Sequence, residues 1–153
     1  LNTAGIEPLT VQDTYAFVLD GVLFSVDPPK RSNYSEDDSN NSSLIVTVSD
    51  GENVLLFMGD AQTERLEEYL EADPVDCDFL KVPHHGVYNK ALDELFDALA
   101  PRYAAICSSA KNPADDRTLE LLAARNTDVM QTKDGDITVI SDGRALEMSQ
   151  RLP

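Results

Sequence analysis

Four short apolar runs in the first part of the chain predict two β-hairpins. The runs span residues 14–19, 22–26, 44–49 and 54–58. The first pair is joined by Asp20-Gly21 and the second by Asp50-Gly51, dipeptides that are typical of tight hairpin turns. Residues 30–43, between the hairpins, are rich in Ser, Asn and Asp and predict a loop, either a plain surface excursion or the rim of a site.

Beyond residue 60, some segments follow the apolar spacing of a helix and others that of a strand. Helices are predicted for residues 62–71, 90–99 and 117–124. Strands are predicted for residues 77–82, 103–107, 129–132, 137–140 and 145–148. This alternation predicts an α/β fold in which helices pack on a mixed sheet, and the length predicts a single domain over residues 1–153.

The chain is strongly acidic. Its 28 Asp and Glu residues against 12 Lys and Arg residues give a formal net charge of −16. Such a surface repels phosphate backbones, so we do not expect tight nucleic-acid binding by this chain alone, whereas a basic partner is easier to accommodate. No apolar run approaches the length of a membrane span, and no signal peptide is visible. Because the chain begins with Leu1, we expect it to be a processed or excised part of a longer protein.

The two cysteines, Cys77 and Cys107, each lie in an apolar run that reads as a strand. They do not form the closely spaced pair that is typical of metal or redox sites. We therefore predict that both are buried free thiols. Without a disulfide framework, the cysteines do not identify the compartment.

Asp60 follows directly on the apolar run 54–58 and precedes the first predicted helix. In open α/β sheets, ligands bind at the carboxyl ends of strands, so Asp60 is a candidate metal ligand. The alternative is an Asp that caps the helix beginning at Ala61.

His84 and His85, the only histidines of the chain, follow the predicted strand 77–82 and precede Gly86. Adjacent side chains point in opposite directions, so a single ion would usually take one of them while the other orients it or contacts substrate. Imidazole and carboxylate ligands suit Zn²⁺, Mn²⁺ or Fe²⁺. The candidate ligands are therefore Asp60, His84 and His85, and the candidate catalytic residues are Asp60 and His85.

Other catalytic or binding motifs are weak or absent in the sequence. The polar residues 40–43 precede a strand and either contact substrate or bond to the local backbone. The chain has no phosphate-binding loop and no nucleophile elbow. Ser108-Ser109 lies far from the His pair in sequence, so a serine hydrolase triad is not supported.

Taken together, several segments resemble the second half of a metallo-β-lactamase-fold domain. The closest likeness is to the ComEC type, the hydrolase domain of bacterial DNA-uptake channel proteins, and its free-standing relatives. The likeness runs from about Val11 to Gly143. Its segments are residues 40–46, 55–61, 80–86 and 128–139.

This resemblance implies an αββα sandwich around one or two metal ions. It implies that Asp60 is the carboxylate that bridges the metals and that His84 or His85 is the late histidine ligand. A bound ion would activate water for attack on a phosphodiester or another ester. The parent would then be a bacterial protein, cytoplasmic, exported or membrane-associated.

The chain also departs from the family pattern. The family's His-x-His-x-Asp-His cluster has no counterpart here, Val87 stands where Ser often follows the His pair, and no His lies near Pro113. These departures predict half a site and half a sandwich with one exposed sheet face, so the chain alone is expected to be inactive. The missing N-terminal half or a second copy in a homodimer would cover that face. The alternative is a non-catalytic protein-interaction module with a degenerate metal site.

Overall fold

The computed structural model describes residues 5, 7–35, 38–72 and 74–152. It has nine strands and four α-helices within those ranges. The strands are β1 Tyr15–Leu19, β2 Val22–Asp27, β3 Ile45–Asp50, β4 Asn53–Phe57, β5 Phe79–Lys81, β6 Tyr103–Ile106, β7 Asp128–Gln131, β8 Asp136–Ser141 and β9 Leu146–Arg151. The helices are α1 Asp38–Asn41, α2 Thr63–Leu70, α3 Leu92–Leu99 and α4 Asp116–Ala124. Among the described residues, no helix is long and apolar enough to cross a bilayer.

Seven strands form one mixed sheet in the order of the sequence, β1 to β7. The pairs from β1 to β4 are antiparallel, and the pairs from β4 to β7 are parallel. Helices α2, α3 and α4 provide the crossovers between the parallel strands, as parallel pairing requires. The predicted α/β fold with a mixed sheet is confirmed.

The two predicted hairpins are also confirmed. Gly21 and Gly51 have φ values of 87° and 58°, in the left-handed region that tight hairpin turns need. Strand β1 pairs with β2 from Tyr15 opposite Val26 to Leu19 opposite Val22. These turns fix which side chains share a face of the sheet.

The main core lies between one face of the sheet and the helices α2 to α4. The sheet contributes Leu56, Leu80 and Ile106, and α3 contributes Leu92 and Phe96, all completely buried. Helix α3 presents its apolar residues at the spacing predicted from the sequence. This layer fixes the strand ends from which the candidate site residues emerge.

The opposite face of the sheet is only partly covered. The hairpin β8–β9 packs over strands β4 to β6, where Leu146 and Met148 contact the cluster around Phe79. Toward β1 the same face is open. We call its side chains the open face: Tyr15, Phe17, Phe24, Val48 and Phe57.

Some sequence predictions need correction. Part of the predicted loop 30–43 is helical, because α1 spans Asp38–Asn41, while residues 36 and 37 lie outside the described residues. The strand predicted over 77–82 is limited to Phe79–Lys81, because the backbone N–H of Cys77 donates to Leu99 O instead of to a neighbouring strand. Cys107 was predicted to be buried and is exposed, because β6 ends at Ile106 and leaves it on a loop. Cys77 is buried, as predicted.

Candidate functional site

Asp60 lies on the turn that follows β4. Gly59, with φ of 58°, makes this turn possible. The N-cap of α2 is Gln62, so the alternative in which Asp60 caps this helix is wrong. The carboxylate is 44% exposed and is therefore accessible to a ligand.

The two histidines lie on a tight turn, Pro83–Gly86, which follows β5 after Val82. His84, His85 and Gly86 have φ values of 42°, 56° and 78°, so three successive residues are left-handed. Each non-glycine residue in this region costs roughly 1–2 kcal/mol. Strain of this kind is concentrated at functional sites, which makes the segment a candidate on backbone grounds as well.

His85 is oriented by a hydrogen bond to the loop after β6. Its Nδ1 lies 2.8 Å from the carbonyl oxygen of Cys107. A carbonyl only accepts, so Nδ1 carries a proton, and in the neutral ring the lone pair is then on Nε2. Nε2 lies 3.6 Å from Oδ1 of Asp60. The ring nitrogen that lies near the carboxylate is therefore the one that the Cys107 carbonyl leaves unbonded.

The spacing of these two atoms suits two ligands of one ion better than a direct hydrogen bond. A separation of 3.6 Å is too long for a hydrogen bond between Asp60 and His85. Ligand atoms placed tetrahedrally at 2.0–2.1 Å from a zinc ion lie about 3.4 Å apart. His85 is 53% exposed, so an ion has access to both ligand atoms. The Asp60–His85 pair therefore fits part of a metal ligand set.

Lys81 is a site residue that sequence reasoning missed. Its Nζ donates a 2.7 Å hydrogen bond to Gly59 O and lies 3.7 Å from Oδ1 of Asp60. The ammonium offsets the charge of the carboxylate and braces the turn. The available signal in the sequence was a lysine at the end of an apolar strand. In the structure its side chain is only 17% exposed, and an ammonium group at that depth needs an acceptor nearby.

His84 is close to the site but is not aimed at Asp60. Its backbone N–H donates to Gly59 O at 3.2 Å, which joins the β4 and β5 turns. Its ring centroid lies 6.1 Å from that of His85. Its Nδ1 is buried without a hydrogen-bond partner among the described residues. The geometry of the described residues thus brings His85, and not His84, within 4 Å of Asp60.

A pocket of about 530 Å³ opens beside His85. This volume lies within the range of small-molecule sites. Apart from His85, its walls carry neutral polar and small apolar groups and no Asp, Glu, Lys or Arg. The lining residues are His85, Val87, Cys107, Ser108, Ser109, Asn112, Pro113 and Thr132. Sequence reasoning had only the polar pair Ser108-Ser109 to indicate it.

Within the described ranges, no group of three or more His, Cys, Asp or Glu residues is placed so that it could hold a metal ion. Comparisons of the chain with models of protein families, with curated proteins and with solved structures find no match.

Proposed function

We propose that this chain is the C-terminal part of a metal-dependent hydrolase of the metallo-β-lactamase superfamily that acts on a phosphodiester or another ester. The observation that carries the proposal is the approach of His85 Nε2 to Asp60 Oδ1, 3.6 Å apart, with the imidazole proton engaged on the far nitrogen. Two of the four segments that resemble the ComEC type, residues 55–61 and 80–86, contain these two residues.

Each residue of the site has a defined part in this proposal. Asp60 and His85 would hold Zn²⁺, Mn²⁺ or Fe²⁺, with His84 as a further candidate ligand. When bound, such an ion supplies a Lewis acid that polarises the ester and activates water. The Cys107 carbonyl keeps the His85 lone pair free, and Lys81 keeps the charge of Asp60 compensated. The pocket beside His85 would receive the uncharged part of the substrate.

The remaining ligands would come from a second layer. The open face is apolar, and Phe17 and Phe57 on it are 40% and 38% exposed. A sheet with an exposed apolar face is normally covered. We propose that the chain is half of an αββα sandwich whose other half, or a second copy, covers this face. The isolated chain would then have little or no activity.

The proposal is tested by producing the chain together with the coding sequence that precedes it. Hydrolysis of bis(p-nitrophenyl) phosphate is measured with added Zn²⁺ or Mn²⁺. Asp60→Asn and His85→Gln should each lower kcat/KM by a factor of about 100 or more. Asp142→Asn, an exposed carboxylate on the β8–β9 turn, is the control and should leave the rate unchanged.

Two outcomes would contradict this assignment. Full turnover by residues 1–153 alone would contradict the split site. If the longer protein kept its full activity in both Asp60→Asn and His85→Gln, the roles assigned to these two residues would be contradicted.

The second candidate is a non-catalytic interaction module. The net charge of −16 and the open apolar face favour it, because together they suit association with a basic or apolar partner. In that case Asp60→Asn would change stability slightly and nothing else. If Phe17→Lys abolished binding to such a partner while Asp60→Asn still bound it, the interaction module would be favoured over the hydrolase.

A further inference from the structure

The segment that precedes β3 forms hydrogen bonds with the turn that carries Asp60. The backbone N–H of Asp60 donates to Ser43 Oγ at 3.0 Å. The N–H groups of Gln62 and Arg65 both donate to Oδ1 of Asn41 at 3.1 Å. Three backbone donors around the turn therefore depend on two side chains that lie about twenty residues earlier in the chain.

Asn41 supplies what α2 lacks locally. The N-cap residue Gln62 makes no side-chain capping bond to the helix. Asn41 is completely buried and accepts from the N–H of Arg65, the third helical residue, the bond that a side-chain cap would accept. It also accepts from the N–H of Gln62. The start of α2, and with it the end of the Asp60 turn, is thus fixed to residue 41.

Ser43 also fits closely against the other end of the turn. A Cβ placed on Gly59 would lie 3.0 Å from both Cβ and Oγ of Ser43. A side chain at residue 59 would therefore press on Ser43. The Ser43 hydroxyl thus accepts a bond from Asp60 and also borders the space that a side chain on Gly59 would need.

Arg65 anchors this segment in turn. Its guanidinium is completely buried, and its Nε donates to Ser43 O at 3.2 Å. The same group donates to Asp27 Oδ2 at 2.7 Å and to Glu68 Oε1 at 3.0 Å. A buried arginine with its partners satisfied is costly to move, so Ser43 is held rigidly.

We infer that Asn41 and Ser43 are positioning residues that hold the Asp60 carboxylate beside His85. The inference rests on the proposed metal site and deepens it, because it assigns a role to the polar residues 40–43 that neither catalysis nor ligation uses. Groups that orient metal ligands commonly contribute a factor of about 10–100 in metal affinity. Loss of the Ser43 hydroxyl leaves the Asp60 N–H without its acceptor and frees the turn to shift.

The test compares Ser43→Ala with Ser43→Thr, which keeps the hydroxyl oxygen. The matched control is Ser141→Ala. The Ser141 hydroxyl bonds Asp50 and Asn53 at the far end of the β3–β4 hairpin, so this variant loses comparable hydrogen bonds without touching the turn. Ser43→Ala is preferred to changes at Asn41, because Asn41 is completely buried and its loss endangers folding.

The first readout is a Zn²⁺ titration of the ¹⁵N-labelled chain, followed at the amides of Asp60 and His85. The half-saturating Zn²⁺ concentration should rise about tenfold in Ser43→Ala. It should keep the wild-type value in Ser43→Thr and Ser141→Ala. A Ser43→Ala variant that titrates like the wild type would overturn the inference.

The second readout needs no metal. The imidazole ¹⁵N shifts of His85 are compared before and after Asp60→Asn, once in the wild-type background and once with Ser43→Ala. We expect a clear change in the first background and none in the second, since the carboxylate has moved away. Equal changes in both backgrounds would refute positioning. If Zn²⁺ perturbs neither Asp60 nor His85 in the wild type, the proposed function fails, while this comparison still decides the role of Ser43.

Discussion

At the scale of single residues, one hydrogen bond gives the candidate site its chemistry. The Cys107 carbonyl engages Nδ1 of His85 and so leaves Nε2 free to accept. The sequence predicts that Asp60 and a histidine meet at neighbouring strand ends, but it does not predict which histidine faces Asp60. That choice depends on the left-handed backbone at residues 84 and 85, which has no signal in the sequence beyond Gly86.

The two cysteines should differ in how they affect stability at alkaline pH. Burial, together with the charges of Asp78 and Asp76, raises the pKa of the Cys77 thiol from 9.0 to about 12. Between these values the unfolded chain loses a proton that the folded chain keeps, so the free energy of unfolding falls as pH rises from about 9 to 12. Below pH 9 this contribution is fully present.

Urea unfolding at several pH values measures this effect. Cys77→Ala should flatten the fall in stability above pH 9 relative to the wild type, and Cys107→Ala, which alters an exposed thiol, should not. Identical pH profiles for the wild type and Cys77→Ala would contradict the burial of this thiol.

At the scale of elements, the tight turn Pro83–Gly86 connects the core to the site. Strand β5 is buried between its neighbours, and the segment after it changes direction within one turn. The existence of strands and helices follows from hydrophobic spacing, and the hairpin turns follow from Asp-Gly. The short helix α1 was not predictable, since it depends on contacts with α2 and not on its own polar sequence.

Gly86→Ala should destabilise the protein strongly. A Cβ there would lie 2.8 Å from the Cβ of Ala114 and 3.1 Å from Cγ2 of Ile106, at a φ of 78°. The backbone strain and the clash together should cost about 2–4 kcal/mol in the free energy of unfolding.

Gly21→Ala is the matched control for this change. Its φ of 87° carries the same backbone strain, but nothing lies within 4 Å of the added methyl group. It should cost about 1–2 kcal/mol, measured by the same chemical unfolding. Equal losses at the two glycines would show that the contact with Ala114 has no energetic weight.

At the scale of the whole molecule, helices cover one face of the sheet except at β1, where Val18 is 66% exposed, and the other face is covered over part of its width. The register sets Phe17, Phe24, Val48, Leu55 and Phe79 in one row across five strands. The hairpin β8–β9 packs against the last two of these side chains and leaves the first three open. The sequence predicts an exposed sheet face from the family resemblance, but where the cover ends depends on how the last hairpin packs.

The open face should bind hydrophobic dyes and promote association. Phe17 stacks on Phe24 with ring centroids 5.0 Å apart and is 40% exposed. Phe17→Lys should reduce the fluorescence of the dye 1-anilinonaphthalene-8-sulfonate and any self-association in sedimentation velocity, because it places a charge within the apolar surface. Val75→Lys, at a loop residue that is 72% exposed, is the control and should change neither property. Dye binding that is equal in all three proteins would contradict an accessible apolar face.

The most direct test of the candidate site is a Mn²⁺ titration of the ¹⁵N-labelled chain. Bound Mn²⁺ broadens nearby amide signals, so it reports where an ion sits even when binding is weak. We predict that the amides of Asp60 and His85 broaden first and that Asp60→Asn abolishes this order. Broadening that begins on the acidic helices and reaches Asp60 and His85 last, unchanged by Asp60→Asn, would contradict a metal half-site at the ends of β4 and β5.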